Sequence, residues 1–488
     1  MVKKLLESLK KIFIDANSLY IAVLVIYLCI IFFVPERKLF FVITVIFIST
    51  IVYVFKNFEA GLFFGYLVLH MFPVGQLYRV VFLTQQQLFY IERYSFGKAG
   101  FFVLSPSYII GFTIFIVVAA RLLFYPDKRR IFSTELYFLF GLMMLKVVSG
   151  VFAQFAPTYS VLSAFEIVYI IAWGYLGICL QNKNNFTVNN LFATISLLQL
   201  YQAGVVFVQW LRQRPIGILL EQSRVGVLPE ISVDLFRPSG FFSHPNMMAA
   251  SSMCFFFIFL FALKHKKNRI IMITGLFSSM LIILVSQSRA VYLGTFLGLL
   301  PIMIFLIKKH KDVVLSFFKK EISLNIALPA VCLLSVSIFI VTGRAINTIY
   351  YSLGAGGGLD VRMLLQEEAI KLILKNPLIG LGYGVFVPVA YEQASTGVLD
   401  WFPESVHNGF LLVASESGLI ALIFLLFIIV QVLLKVFEIK SWAKECLIGF
   451  CISIVIFMMF HPADLVASVG TMIVICLLNI NRVRMRSF

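Results

Sequence analysis

The stretch NGFLLVASESGLIALIFLLFIIVQVLL, residues 408–434, decides the fold class of this chain. Apart from Glu416 it carries no charge, and apolar side chains fill most of its length. A helix that spans a membrane needs about 20 predominantly apolar residues. The run is nearly continuous, whereas strands of a membrane barrel alternate between apolar and polar side chains. The stretch therefore predicts a transmembrane helix.

The same pattern recurs along the chain on both sides of this stretch. Of the 488 residues, 61% are hydrophobic and only 13% are charged, whereas about 25% are charged in a typical soluble domain. About 14 apolar segments are long enough to cross a membrane; they lie near 17–34, 39–55, 59–80, 104–125, 133–155, 159–180, 189–210, 246–264, 270–286, 289–308, 323–342, 408–434, 443–460 and 463–480. We predict an all-α polytopic membrane protein with about 12–14 transmembrane helices, in which residues 1–488 form a single integral membrane domain.

Lysine and arginine are unevenly divided between the segments that join these helices. Both chain ends and every second connection, including 264–269 and 308–320, together hold 24 basic residues, and the remaining connections together hold 14. Because cytoplasmic loops carry the excess of basic residues, we predict that both termini are cytoplasmic. The outer loops then include 211–245 and 343–406. The net charge of +17 reflects this topology and contact with lipid headgroups, and it does not indicate a nucleic-acid partner.

The outer segment 343–406 is unusually long for a connection between two membrane helices. Long connections are commonly functional or disordered, and this one contains Leu, Ile, Phe, Tyr and Trp throughout, which favours a folded element. Residues 361–375 favour a helix that would lie along the outer membrane interface and end before Pro377. We therefore predict a large, partly helical extracytoplasmic loop that contributes to the active site.

Two arginines near the outer ends of the predicted helices are candidate ligands for an anion. Arg289 follows Ser286-Gln-Ser288 and begins an apolar run, so it would lie at a helix N-terminus, where free N–H groups favour anions. A guanidinium binds phosphate with two parallel hydrogen bonds. Arg289 and Arg362 on one membrane face would therefore suit a diphosphate. The alternative for Arg289 is an interfacial side chain that reaches the headgroups.

Histidines at the outer ends of helices are the candidate bases. His407 lies where the 343–406 segment enters the helix at 408–434, and an imidazole can accept a proton near neutral pH; the alternative is a structural cap. His244 and Asn246 precede the predicted helix at 246–264 and favour a structural or substrate-positioning role, with Asn246 as the expected cap of that helix. His461 is a weaker candidate on the same side.

Four sequence pieces occur in a characteristic order. They are Arg237-Pro-Ser-Gly-Phe-Phe-Ser-His-Pro-Asn246, Ser286-Gln-Ser-Arg289-Ala, Arg362 with Asn376-Pro-Leu-Ile-Gly-Leu-Gly-Tyr-Gly-Val-Phe386, and His407-Asn408 with Glu416-x-Gly418. With the large outer loop before His-Asn, residues 237–430 resemble the O-antigen ligase and polymerase superfamily, the Wzy and WaaL type membrane glycosyltransferases. One departure is Met363-Leu-Leu-Gln366, where an aromatic residue often follows the arginine in the family.

This resemblance implies a GT-C-like helical fold in a bacterial cytoplasmic membrane, with an extracytoplasmic active site that uses no metal or cofactor. The donor and acceptor are glycans linked to undecaprenyl diphosphate. Arg289 and Arg362 match the arginines assigned to the donor diphosphate, and His407 matches the histidine that activates the acceptor hydroxyl. Further residues of the four pieces are expected to bind substrate; these are Arg237, His244, Asn246, Ser288 and Asn408.

The predicted activity is therefore polymerisation of lipid-linked oligosaccharide units into a cell-surface or cell-wall polysaccharide. The first alternative is an O-antigen-type ligase that transfers finished glycan to a lipid or protein acceptor, and the polymerase is preferred because nothing marks a dedicated acceptor. The alternative of another class is a lipid-linked glycan transporter or flippase; such proteins usually show internal repeats, and none is apparent here. Expected partners are membrane lipid, a chain-length regulator and a flippase.

Overall fold

The structure of the protein, a computed structural model, describes most of the apolar segments and part of their connections. The described residues are 16–32, 37–55, 57–71, 78–81, 101–104, 106–124, 134–153, 155, 157–181, 188–217, 224–226, 235–242, 244–263, 269–309, 358–393, 397–401, 404–439 and 442–462.

Helices dominate the described part of the chain. In chain order they are α1 (Ala16–Phe32), α2 (Arg37–Phe55), α3 (Phe58–Met71), α4 (Pro106–Phe124), α5 (Thr134–Val151), α6 (Pro157–Gln181), α7 (Val188–Arg212), α8 (Pro245–Ala262), α9 (Arg269–Ser286), α10 (Arg289–Lys309), α11 (Gly358–Lys375), α12 (Phe386–Gln393), α13 (Val398–Trp401), α14 (Gly409–Phe437) and α15 (Trp442–Phe460). Two short antiparallel strand pairs accompany them: β1 (Tyr78–Val81) with β2 (Phe101–Leu104), and β3 (Arg224–Gly226) with β4 (Leu235–Arg237).

The prediction of an all-α polytopic membrane protein is confirmed. Each predicted apolar segment from 17–34 to 289–308, and those at 408–434 and 443–460, coincides with one of these helices. Among the described residues, five helices are long and apolar enough to cross a membrane: α7, α8, α10, α14 and α15. The other apolar helices contain shorter apolar stretches of 10–17 residues. The predicted segments 323–342 and 463–480 lie outside the described residues. Residues 343–357, the first part of the 343–406 segment, also lie outside them.

The third predicted segment, 59–80, is wrong at its C-terminal end. Helix α3 ends at Met71, and residues 78–81 form strand β1 instead. Pro73 follows two residues after the helix, and proline commonly stands just beyond a helix end because it cannot continue the hydrogen-bond ladder. Hydropathy alone did not register this stop, since Val80, Val81 and Phe82 are as apolar as the helix before them.

Small residues bring α10 and α15 into close contact. A side chain at Gly298 would clash with the carbonyl oxygen of Gly449, and one at Gly449 would clash with that of Gly298. The hydroxyl of Ser453 donates to the carbonyl oxygens of Gly294 and Gly449, at 2.8 and 2.7 Å. Small residues of this kind let membrane helices approach until their backbones touch. The pairing fixes the start of α10, at Arg289, relative to the end of α15, at Phe460.

Residues 358–401 form a folded unit with an apolar core of its own. One face of α11 packs on α12, α13 and the turn between α11 and α12, and the cluster extends to the end of α5. Its buried members are Ala153, Phe155, Val361, Leu365, Ala369, Leu372, Leu381, Val385, Phe386, Val389, Ala390, Val398, Leu399 and Val406. The predicted helix at 361–375 is confirmed as part of α11, and the described residues of the 343–406 segment are folded as its composition indicated.

Helix α14 is broken at Gly418, whose φ and ψ of 84° and 168° are not helical. In a regular helix the carbonyl oxygen of Ser415 would accept from the amide of Leu419. Here Ser415 accepts instead from the amide of Leu381 at 2.9 Å, and Leu419 donates to the carbonyl oxygen of Pro377 at 2.8 Å. The carbonyl oxygen of Glu416 accepts from the amide of Gly382, also at 2.9 Å. The turn after α11 thus replaces the hydrogen bonds that the break removes.

Candidate functional site

Arg237 ties three elements together at one end of the helix bundle. It closes strand β4, and its Nη2 donates to Oδ1 of Asn246 at 2.8 Å and to the carbonyl oxygen of Ser286 at 3.0 Å. Asn246 lies in the first turn of α8, and Ser286 ends α9. The Nε of Arg237 is buried and has no hydrogen-bond partner within the described structure. Burial, together with the charge of Arg289, lowers the pKa of Arg237.

Arg289 is the first residue of α10, as the sequence predicted. Gln287, with a positive φ of 57°, makes the tight turn from α9 into α10, so Arg289 is an exposed side chain at a helix N-terminus. It lies close enough to Arg237 and Arg362 for its charge to lower the pKa of both. Free amide groups at this helix start add to the positive potential that Arg289 supplies.

Arg362 reaches the same place from the other side, from the first turns of α11. Partial burial and the charge of Arg289 lower its pKa, while the carboxylate of Glu404 acts in the opposite direction. The guanidinium groups of Arg237, Arg289 and Arg362 therefore lie in one region. The negative charge of Glu404 offsets part of the repulsion at Arg362. Like charges held this close repel one another, and a bound anion relieves that repulsion.

His407 lies in the short extended segment that leads into α14. Its Nε2 is 3.4 Å from a carboxylate oxygen of Glu404, and its side chain is 12% exposed. Burial, and then the nearby charge of Arg362, lower the pKa of His407 to about 4, whereas the backbone of Ser405 acts to raise it. His407 is therefore uncharged near neutral pH, which is the form of an imidazole that can accept a proton.

His244, and not Asn246, caps helix α8. The residue at the cap position is His244, and its Nδ1 accepts the backbone N–H of Asn246 at 3.0 Å. The prediction that Asn246 caps this helix is therefore wrong. Because proline follows at the first helical position, where it is favoured, the helix starts one residue earlier than the sequence pattern suggested. The side chain of Asn246 instead accepts the hydrogen bond from Arg237.

His461 lies between the two histidines that the sequence placed ahead of it. Its ring centroid is 5.7 Å from that of His244 and 6.4 Å from that of His407. The signal for this position was weak in the sequence, although Phe460-His461-Pro462 follows a membrane helix just as Ser243-His244-Pro245 precedes one. Pairing of α10 with α15 brings His461 to the cluster, and that pairing cannot be inferred from local sequence.

The site candidates Asn408 and Ser288, and the neighbouring Ser286, make hydrogen bonds within the local structure. Oδ1 of Asn408 caps α14 by accepting from the amides of Phe410 and Leu411, at 3.0 and 3.1 Å. The buried hydroxyl of Ser286 donates to the carbonyl oxygen of Ile283. Ser288 is also buried, and its amide donates to that same hydroxyl at 3.3 Å.

The glycines of residues 380–384 contact protein backbone. A side chain at Gly380 would lie 2.5 Å from the carbonyl carbon of Glu416, and one at Gly382 would meet Ala153. Positive φ values at Gly380, Gly382 and Gly384 make the turn that docks on the break in α14. These glycines therefore serve to make the turn and to let it approach the backbone of α14.

The structure thus brings five of the predicted site residues to one end of the bundle: Arg237, Arg289, Arg362, His244 and His407. His461 completes the group, and Asn246 joins it through Arg237. Within the described part of the chain, no cluster of three or more His, Cys, Asp or Glu side chains has the geometry of a metal site. The arrangement is cationic, sits where helices end, and holds the uncharged His407 close to Arg362.

Comparison with known families agrees with the motifs. Residues 270–426 match the family model described as O-antigen ligase, Wzy_C, and the chain matches no curated protein. The matched range includes Arg289, Arg362 and His407 and omits Arg237, His244 and His461. The match confirms the resemblance to the O-antigen ligase and polymerase superfamily, without distinguishing the polymerase branch, and it indicates glycosyl transfer of this type at a membrane.

Proposed function

We propose that this multi-pass membrane protein polymerises oligosaccharide units carried on undecaprenyl diphosphate into a cell-surface or cell-wall polysaccharide. The active site would face outward from a bacterial cytoplasmic membrane, with both chain termini on the cytoplasmic side. The 343–406 segment would cover the site as the large extracytoplasmic loop. One observation carries the proposal: Arg362 lies beside the uncharged His407 and close to Arg289, which comes from a separate element, and all three fall inside a range of O-antigen ligase type.

The arginines support binding and departure of a diphosphate. Arg289 lies at a helix N-terminus, and α11 holds Arg362 close to it. The charge of Arg289 lowers the pKa of Arg362. A diphosphate leaving group gains negative charge on its bridging oxygen as the glycosidic bond breaks. Guanidinium groups already in place stabilise that charge more in the transition state than in the ground state. No metal or cofactor enters the proposed reaction.

His407 supports activation of the acceptor. Its low pKa keeps the ring uncharged at neutral pH, so it can remove the proton of an acceptor hydroxyl as that oxygen attacks the anomeric carbon. The bond from this carbon to the diphosphate breaks, and its electron pair leaves with the phosphate. Attack opposite the leaving group inverts the configuration. A base in this role contributes roughly 10²–10⁴-fold to the rate.

The decisive experiment uses the purified full-length protein in detergent or nanodiscs, with a defined undecaprenyl-diphosphate oligosaccharide. A polymerase converts the single unit into a ladder of longer lipid-linked chains. Arg289→Ala and Arg362→Ala should each abolish the ladder while the protein remains folded. Arg214→Ala is a matched control, because Arg214 is an exposed arginine that follows α7. Full product from both alanine variants would remove the diphosphate assignment.

A ligase is the second candidate because the matched family is described as O-antigen ligase. The same assay separates the two activities. A ligase leaves the lipid-linked unit at its original length and moves glycan only when a lipid or protein acceptor is added. Substrate that crosses the bilayer of a proteoliposome without any change in covalent structure would instead identify a transporter.

A further inference from the structure

The ring of His461 is clamped at the centre of the histidine group. It follows directly after α15 and stacks on Phe457, with centroids 4.7 Å apart and an interplanar angle of 21°. The rings of His244 and His407 meet it edge to face, at interplanar angles of 64° and 66°. His461 is only 8% exposed. Contacts on three sides therefore fix the plane of this imidazole.

A buried nitrogen of His461 lacks a partner. Its Nδ1 has no hydrogen bond within the described structure, although an unsatisfied buried polar atom costs about 1–3 kcal/mol. Phenylalanine would provide the same packing on Phe457 without that cost. The imidazoles of His244 and His407 contact the ring of His461, so they are the candidate partners of this buried nitrogen.

The charges around His461 oppose a proton on its own ring. Burial is the largest cause that lowers the pKa of His461, to about 3. The charges of neighbouring side chains act in the same direction; these are His244, His407, Arg362 and Arg237. The carboxylate of Glu404 lies 3.4 Å from Nε2 of His407. His461 consequently stays neutral in the resting protein, and a neutral imidazole presents one nitrogen as a hydrogen-bond acceptor.

We propose that His461 is a positioning residue for the glycosyl transfer: it accepts a hydrogen bond from His407 once His407 has taken the acceptor's proton. This inference rests on the proposed function. In the resting state His407 is neutral, and the two rings lie in an edge-to-face contact. Protonation gives His407 a second N–H, which turns onto the unpartnered nitrogen of His461. Hydrogen bonds of catalytic groups are commonly long before substrate binds and tighten afterwards.

The step balances without any further reactant. The O–H bond of the acceptor breaks and its proton moves to His407, while the new glycosidic bond forms and the diphosphate leaves with the electron pair of the old bond. His461 gains no proton; it holds the imidazolium of His407 in place, as a carboxylate does for the histidine of a hydrolase triad. The proton passes from His407 to water when the products leave.

His461→Phe and His461→Gln test the proposal together. Phenylalanine keeps the ring on Phe457 and removes both nitrogens, whereas glutamine restores a hydrogen-bond acceptor. We expect His461→Phe to lower kcat on the order of 10- to 100-fold, with KM for the lipid-linked donor changed less than about twofold. The acid limb of the kcat profile should move to lower pH in His461→Phe, because the imidazolium of His407 loses its acceptor. His461→Gln should recover much of the lost rate.

A second measurement does not depend on turnover. The rate at which diethyl pyrocarbonate modifies His407, followed by mass spectrometry across pH 3–8, reports the protonation of that ring. Its midpoint should be lower in His461→Phe than in the wild type and should return towards the wild-type value in His461→Gln. If the midpoint shifts but the protein transfers no glycan, the proposed function is refuted, while the hydrogen bond between His407 and His461 is supported. An unshifted midpoint, or wild-type kcat in His461→Phe, would overturn the role of His461.

Discussion

The amide nitrogen of Leu419 donates to the carbonyl oxygen of Pro377, 2.8 Å away, and not to a carbonyl of its own helix. The two residues are separated by the whole of α12 and α13 in the chain, yet this bond replaces the one that Leu419 would make with Ser415. The turn at 377–382 therefore docks into the break of α14. Each backbone bond of this kind contributes about 1 kcal/mol net, and a membrane offers no water as a substitute.

Gly418→Ala should disrupt this docking. A Cβ at this position would overlap the carbonyl oxygen of Leu378, and φ at Gly418 is +84°. Because backbone stands on the other side of the clash, neither partner can move aside cheaply. We expect a loss of roughly 3 kcal/mol or more, seen as a clear fall in the apparent Tm of the detergent-solubilised protein and as poor recovery from the membrane.

Gly204→Ala is the matched control for that variant. Gly204 lies within α7, and outside its own stretch of helix no atom of the described residues lies within 4 Å of the site of its missing Cβ. Alanine is the better helix former by about 1 kcal/mol, so Tm should stay unchanged or rise. Equal losses of Tm in the two variants would contradict the assigned importance of the break.

Glu416→Ala and Glu416→Gln should separate charge from hydrogen bonding at the buried Glu416. Its carboxylate accepts the amide of Phe386 at 3.2 Å, at the start of α12. Glutamine retains an acceptor oxygen at this distance, whereas alanine leaves the amide unsatisfied at a cost of about 1–3 kcal/mol. We expect Tm in the order wild type, Glu416→Gln, Glu416→Ala. If glutamine were as damaging as alanine, the negative charge of Glu416 would be the requirement.

Arg237→Gln should weaken glycosyl transfer more than it weakens the fold. The substitution removes the bonds from Nη2 to Asn246 and to the carbonyl oxygen of Ser286, which hold the start of α8 against the end of α9. Arg289 would then lose its fixed place beside Arg362. We expect a fall in kcat/KM of about tenfold or more, while apparent Tm falls by only a few degrees. Unchanged kcat/KM would show that the α9–α10 turn holds Arg289 unaided.

The stability of the protein should fall as pH is lowered from about 6.5 to 4. The pKa of His407 is lowered to about 4 and that of His461 to about 3, whereas an unfolded histidine titrates near 6.5. Across this window the unfolded chain binds protons that the folded protein refuses, so protonation favours unfolding. Each shifted histidine contributes on the order of a few kcal/mol.

A variant carrying both His407→Gln and His461→Gln isolates this effect from the titration of carboxylates. Its apparent Tm should decline less steeply than that of the wild type over the same pH interval. Parallel curves for the two proteins would mean that neither ring resists protonation in the folded state.

Local sequence was sufficient for the helices and for Arg289, because apolar length and a helix start are properties of contiguous residues. It was insufficient for His461, whose place depends on the contact of Gly298 with Gly449 across 151 positions of the chain. The cap of α8 was misassigned by similar reasoning, since Asn246 has good cap chemistry in isolation but is recruited by Arg237. The break in α14 was also not foreseen, because a glycine in an apolar run does not reveal which backbone will approach it.

The break in α14 divides that helix mechanically. Residues 409–417 are fastened to the turn at 377–382, while residues 419–437 run on as an apolar, membrane-length stretch. The short outer piece therefore behaves as a lever mounted on the extramembrane unit, with His407 and Asn408 at its tip. A displacement of that unit would therefore carry His407 with it, whereas residues 419–437 are not fastened to the unit beyond the bond of Leu419 to Pro377.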